Sequence, residues 1–122
     1  RFHADDVYEP GTVLEIGGIN EVTKVKDDLS DEVFGVVSKT AAYLMNGQAG
    51  NDETHPGIAL SGRVLVKTIG KVKKGQRLVS AGNGLARAAN PGEATVFNTI
   101  GRALEDKNIE PEQLLLAIVA VK

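Results

Sequence analysis

At 122 residues, with 42% hydrophobic and 25% charged side chains and a formal net charge of -2, the chain has the size of one domain with one core. The near-neutral balance excludes the overall basic bias of a nucleic-acid binder, and the absence of cysteine excludes disulfide scaffolds and thiolate metal sites, in keeping with assembly in the cytoplasm. No apolar run approaches the ~18 residues of a membrane span, and no signal peptide is visible.

The chain begins at Arg1 rather than methionine, which reads as a processed product or as part of something longer. Residues 1–8 are polar and mixed, an expected connector or arm, and residues 9–122 are expected to form a single β domain. Glu9-Pro10-Gly11 is a turn signal. Thr12 to Ile16 reads as a strand, Gly17 to Asn20 as a hairpin connection, and Glu21 to Val25, with its polar–apolar alternation, as a half-buried strand. The acidic run Asp27 to Glu32 lacks Ca²⁺-loop spacing and is expected to be a solvated loop. Val33 to Ser38 is a third strand, with Gly35 marking a bulge or a close backbone approach.

Ala41 to Met45 is expected to be a short strand, followed by a polar, glycine-rich connection from Asn46 to Pro56, long enough to suggest a functional surface or subunit contact. From Ile58 to Ala89, short β-branched runs alternate with glycine-centred turns and no acid, histidine or cysteine occurs. Ile58 to Leu60 and Arg63 to Thr68 are strands, the second with the imperfect alternation of a strand covered on both faces. Gly70 to Gly75 is a short tip before Arg77 to Ser80. Asn83-Gly84, flanked by Leu78, Val79, Leu85 and Ala86, is the strongest short-range hairpin signal in the chain. After a turn at Asn90 to Glu93, Val96 to Ala103 is expected as a strand, with a short helix over Arg102 to Asp106 as the competing reading. The longest apolar run, Leu114 to Val121, carries no charge and fits a fully buried strand. The fold expected is therefore all-β: a compact sandwich or barrel of about nine to ten short strands, spaced by roughly 8–12 residues, with at most one short helix.

Nothing in this pattern is arranged for catalysis. Ser30, Ser38, Ser61 and Ser80 lie outside any nucleophile elbow, since Ser61 lacks the first glycine of GxSxG. The clusters His3, Asp5, Asp6 and Asp52, Glu53, His55 lack the spacing of a zinc site. Gly82-Asn83-Gly84 is too short for a dinucleotide fingerprint and no P-loop lysine follows it. No catalytic residue, cofactor or metal is assigned, and a small-molecule ligand is not expected. The local basic patch Lys67, Lys71, Lys73, Lys74 and Arg77 reads as a solvated tip or strand edge. With no Trp and 2 Tyr, neither a stacking platform for nucleic acid nor an aromatic sugar site is indicated.

Several segments taken together carry a resemblance: YEPGTVLEIGG at Tyr8 to Gly18, GVVSKTAAYLMN at Gly35 to Asn46, the whole of Ile58 to Ala88, IGRALED at Ile100 to Asp106, and the apolar final strand. In this order they resemble a β-rich domain found near the C-terminus of large tailed-phage virion proteins, often tail-fibre associated, and are loosely similar to small trimeric capsid-decoration proteins. Gln76, after the glycine of KKGQRLVS, departs from the acidic residue more usual in that family. The resemblance implies a non-enzymatic virion structural protein or module, located in the virion, that self-assembles as a trimer and packs on neighbouring virion proteins, with no nucleic acid or membrane partner. Tyr8, Tyr43, Leu44 and Met45 are the expected contact residues, because aromatic residues and Met are enriched at such surfaces. Capsid decoration is one alternative. Another is a C-terminal autoprocessing chaperone of a phage appendage, against which the absence of a serine at position 1 counts.

Overall fold

The computed structural model describes residues 4, 8–17, 21–38 and 57–121. Among these residues there are nine strands and no helix: β1 (Val13–Ile16), β2 (Val22–Lys24), β3 (Val33–Val37), β4 (Ile58–Ala59), β5 (Ser61–Thr68), β6 (Arg77–Gly82), β7 (Leu85–Ala88), β8 (Thr99–Ala103) and β9 (Gln113–Ala120). They form a four-stranded antiparallel sheet in the order β2-β1-β3-β4 and a closed barrel in the order β5-β7-β6-β8-β9. The all-β expectation holds.

Closure of the barrel removes edges that would otherwise template aggregation. Its seam is a short parallel contact, Thr68 against Ala86, extended by Ile69 N–H donating to the Ala86 carbonyl at 2.9 Å. The Asn83-Gly84 pair turns β6 into β7 with φ of 53° and 75°, the two positive values that a type I′ turn requires. The tip also ties the two sheets together, because the Gly84 carbonyl accepts from Val13 N–H at 2.9 Å and Gly84 N–H donates to the Val25 carbonyl at 2.8 Å. Gly11 makes a second tie, donating to the Val37 carbonyl at 2.8 Å and accepting from Lys67 N–H at 2.9 Å.

Alternation along β1 serves two cores. Val13 joins Val25 in one cluster with Val66, Leu78, Ile100 and Leu115 of the barrel strands, while Leu14 turns to the other face with Ala4, Val22 and Val37. Gly35 permits the close approach expected of it, since a Cβ there would strike Ile58 and the Ala59 carbonyl. The loop that spans residues 27–32 is pinned rather than merely solvated. Leu29 N–H donates to the Ser80 carbonyl at 2.9 Å, and the Ser80 hydroxyl, fully buried, accepts from Ser30 N–H at 2.7 Å and donates to the Asp27 carbonyl at 2.8 Å.

The strand expected at Val96 to Ala103 is shorter than its apolar run. Val96 to Asn98 form a turn, and the strand starts only at Thr99. The competing helix over Arg102 to Asp106 is also absent: β8 runs to Ala103, and Leu104 N–H continues the ladder by donating to the Leu116 carbonyl at 2.9 Å. Beyond it, Lys107 is 2% exposed and its ammonium donates to the carbonyls of Gly70 and Ile109, each at 2.7 Å.

Candidate functional site: the outer wall of the barrel

β5 and β9 pair antiparallel over eight residues, so the register fixes which side chains share a face. Val66, Leu115, Ala117 and Val119 point inward and are buried. The opposite face places Arg63 beside Ile118, Leu65 beside Leu116, and Lys67 beside Leu114. β8 adds Arg102 on the far side of Ile118. Leu65, Leu114 and Ile118 remain 46%, 43% and 45% exposed, which leaves an apolar stripe along the outside of the barrel. The fully buried strand expected from Leu114 to Val121 is thus buried on one face only. A shallow cleft of about 320 Å³, lined by Pro10, Val37, Arg63, Leu65 and Leu116, carries the stripe toward the first sheet.

The stripe is electrically polar along its length. At the Leu114 end, Lys67 is gripped by two carboxylates, Glu9 at 2.6 Å and Glu112 at 4.0 Å, and both of these are largely exposed. The hydrogen bond from the Lys67 ammonium, reinforced by its charge, holds the Glu9 carboxyl below the usual carboxylate range. Glu110 lies in the segment just before Glu112, so this end is acidic. At the Ile118 end, Arg63 and Arg102 are exposed and flank the isoleucine, and neither forms an ion pair among the described residues. Arg102 Nε donates to the Gly75 carbonyl at 3.0 Å, which sets the direction of its side chain.

Ala120, at the end of the stripe, borders a second apolar feature together with Val96 and Thr99. Here the backbone is fixed by side chains. Thr95 N–H donates to Asn98 Oδ1 at 2.6 Å, Asn98 N–H to Thr95 Oγ1 at 3.2 Å, and Asn98 Nδ2 to the Glu93 carbonyl at 2.9 Å. The turn so held presents Val96 and Phe97 at 63% and 67% exposure. Isolated surface apolar residues are ordinary, but Val96 meets the end of the stripe at Ala120 and so extends an apolar patch of the kind that marks interaction sites.

Of the expected contact residues, Tyr43, Leu44 and Met45 lie outside the described residues, as do both histidines, the Asp52–Glu53 pair and the strand expected at Ala41 to Met45. Tyr8 is half-buried against the Leu14 cluster, with its hydroxyl 3.3 Å from Thr23 Oγ1. It lines a polar cleft of about 290 Å³ with Glu9, Lys24, Lys67, Asn83 and Glu112. The cations of that cleft are already engaged, Lys24 donating to Asn83 Oδ1 at 3.0 Å and Lys67 to Glu9. Among the described residues no group of His, Cys, Asp or Glu is placed to hold a metal ion. No helix among them is long and apolar enough to cross a membrane. Gln76 keeps its turn by accepting from Lys73 N–H at 2.7 Å through Oε1, a contact that a carboxylate oxygen would make equally well.

The strongest ionic cluster is structural. Arg87 binds Asp28 through Nε and Nη2 at 2.7 and 2.9 Å and Glu93 through Nη1 at 2.8 Å, tying the residue 27–32 loop and the 90–93 turn to β7. Hydrogen bonds from Arg87 hold both carboxyls low, Glu93 at about 2 with help from the Asn90 backbone, and raise the Arg87 guanidinium.

No protein-family model matches the chain, and no curated protein does either. Among solved structures it is similar to the head fiber gp8.5 N base in bacteriophage phi29, at 16% identity and a TM-score of 0.57, over 98% of this chain and 90% of that one. At that identity the likeness is one of fold.

Proposed function

We propose that this chain is a non-enzymatic structural module of a bacteriophage virion, acting by packing against its own copies and against a neighbouring virion protein. The observation that carries this reading is the near full-length fold likeness to a phage head-fiber base. The ordered motifs from Tyr8 to Val121, which resemble phage virion domains, support it independently of the fold. That the neighbour is described as a head-fiber base favours a position at the head surface over one on a tail fibre. Three copies per assembly follow the resemblance. The contacts expected at Tyr8, Tyr43, Leu44 and Met45 belong to the same proposal, and the patch at Leu65, Leu114, Ile118, Val96 and Phe97 adds to them. Exposed apolar area of this kind is what a permanent assembly covers, since obligate interfaces bury about 2,000 Å² or more and are more apolar than ordinary surface.

The test is location. Antibodies raised against the purified chain are used to probe density-gradient-purified phage particles from a culture that expresses its gene. The chain is expected to co-sediment with intact particles at a fixed copy number. Finding it only in the soluble lysate, with none on particles, would refute a virion role.

A further inference from the structure

We infer that the apolar outer wall of β5 and β9 is covered by the same wall of a second copy of this chain, with the Arg63 and Arg102 end of one copy against the Glu9 and Glu112 end of the other. The inference deepens the proposed virion reading and rests on it for the idea of self-packing, but the surface and its polarity come from the strands themselves. β9 carries apolar residues on both faces, as strands buried on both faces do, and β5 adds Leu65 to the outer one. Their own barrel covers one of these faces, leaving Leu65, Leu114 and Ile118 each more than two-fifths exposed.

What covers the other face must match its charges. A partner has to bring a carboxylate to Ile118, where Arg63 lies beside the stripe without an ion-pairing acid among the described residues, and Arg102, its guanidinium turned to the Gly75 carbonyl, adds positive charge on the neighbouring strand. It has to bring cations to Leu114, where Glu9 and Glu112 share one lysine. A second copy of the wall, laid with its direction reversed, supplies both, whereas a copy laid in the same direction sets like charges on like. Interfaces commonly have this form, a dry apolar centre with charged ends that fix orientation. The same wall on itself in reverse is an isologous two-fold contact, so it joins copies in pairs, and contacts around a three-fold axis would use other surfaces.

Sedimentation equilibrium of the full chain and of three variants tests the contact. Ile118→Glu puts a carboxylate into the centre of the stripe and is expected to weaken self-association by about 30-fold or more, the scale of an interface hot spot. Arg63→Glu is expected to weaken it about tenfold, since it sets a carboxylate against Glu112 of the neighbour. The double variant R63E/E112K restores the pairing with signs exchanged and is expected to return to within about threefold of the parent. That rescue cannot arise from a folding defect. A parent chain that stays monomeric at all concentrations overturns the inference, as does an Ile118→Glu protein that associates like the parent, or a double variant no tighter than R63E alone. None of these outcomes bears on whether the chain is found on particles, so the virion reading stands or falls separately.

Discussion

Lys107 is the most informative single residue for the stability of the fold. It sits in a loop with 2% of its surface exposed, and its ammonium donates to the carbonyls of Gly70 and Ile109 at 2.7 Å each. Its backbone makes a reciprocal bridge with Val72 at 2.8 and 3.0 Å. One side chain therefore joins the 69–75 tip to the 104–112 segment that precedes β9. Burial pushes its pKa down, against a smaller upward effect from Glu110, so the charge is held at some cost. Lys107→Met keeps the length and removes the donors. Two part-buried carbonyls then lose a hydrogen bond from a charged donor, each at about 1.5–3 kcal/mol, partly offset because no charge is desolvated. The net loss expected is about 2–4 kcal/mol. For a chain of this length the unfolding entropy is about 0.26 kcal/mol/K, so Tm falls by about 8–16 °C. Thermal unfolding followed by circular dichroism, with Lys107→Arg alongside, reads this directly. A Lys107→Met protein within about 3 °C of the parent would refute the claim that this cage staples the two segments.

Other outcomes follow from the same geometry. Gly101→Ala places a Cβ against the Ile118 carbonyl and the Val119 Cα, which are backbone atoms and cannot swing aside. The expected loss is about 3 kcal/mol in urea unfolding, whereas Gly62→Ala meets open space and loses about 1 kcal/mol through its positive φ alone. Equal losses would contradict the packing account of β8 on β9. The Arg87 network gives an acid dependence. Glu93 and Asp28 titrate lower folded than unfolded, so the unfolded chain binds more protons in between. Their contribution is present above about pH 4.5 and lost as pH falls toward 2. The difference in urea midpoint between parent and Arg87→Met should therefore shrink from pH 7 to pH 2.5, and a constant difference would exclude the network as its source.

Most strands were legible because their signals are local. The Asn83-Gly84 pair allows one kind of turn, and the neighbours Leu78, Val79, Leu85 and Ala86 supply strands to either side. What misled at Val96 and Phe97 was composition. Two apolar residues read as strand, but the Thr95 and Asn98 side chains each accept from the other's backbone N–H and outcompete the ladder. Arg87 gave no warning of its role, since its partners Asp28 and Glu93 come from separate loops. Closure of the barrel through Thr68 and Ala86 depends on a contact that no local pattern encodes. The candidate wall was half legible. The runs Arg63 to Lys67 and Leu114 to Val121 announced strands covered on both faces, but apolarity cannot state whether the second cover is the same chain or another copy. Residue type points instead to Tyr8, Tyr43, Leu44 and Met45, and by the same signal Leu65 and Ile118 read as ordinary core.

The most direct measurement is of the wall itself. In methyl-labelled protein, a soluble nitroxide broadens the signals of exposed Ile and Leu methyls. Ile16 lies in the other sheet and is 57% exposed, so it serves as the internal reference. At high protein concentration Leu65, Leu114 and Ile118 should be shielded while Ile16 is broadened, and dilution should expose all four alike. Broadening of the wall methyls equal to that of Ile16 at every concentration would show the wall bare, and would contradict assembly through it.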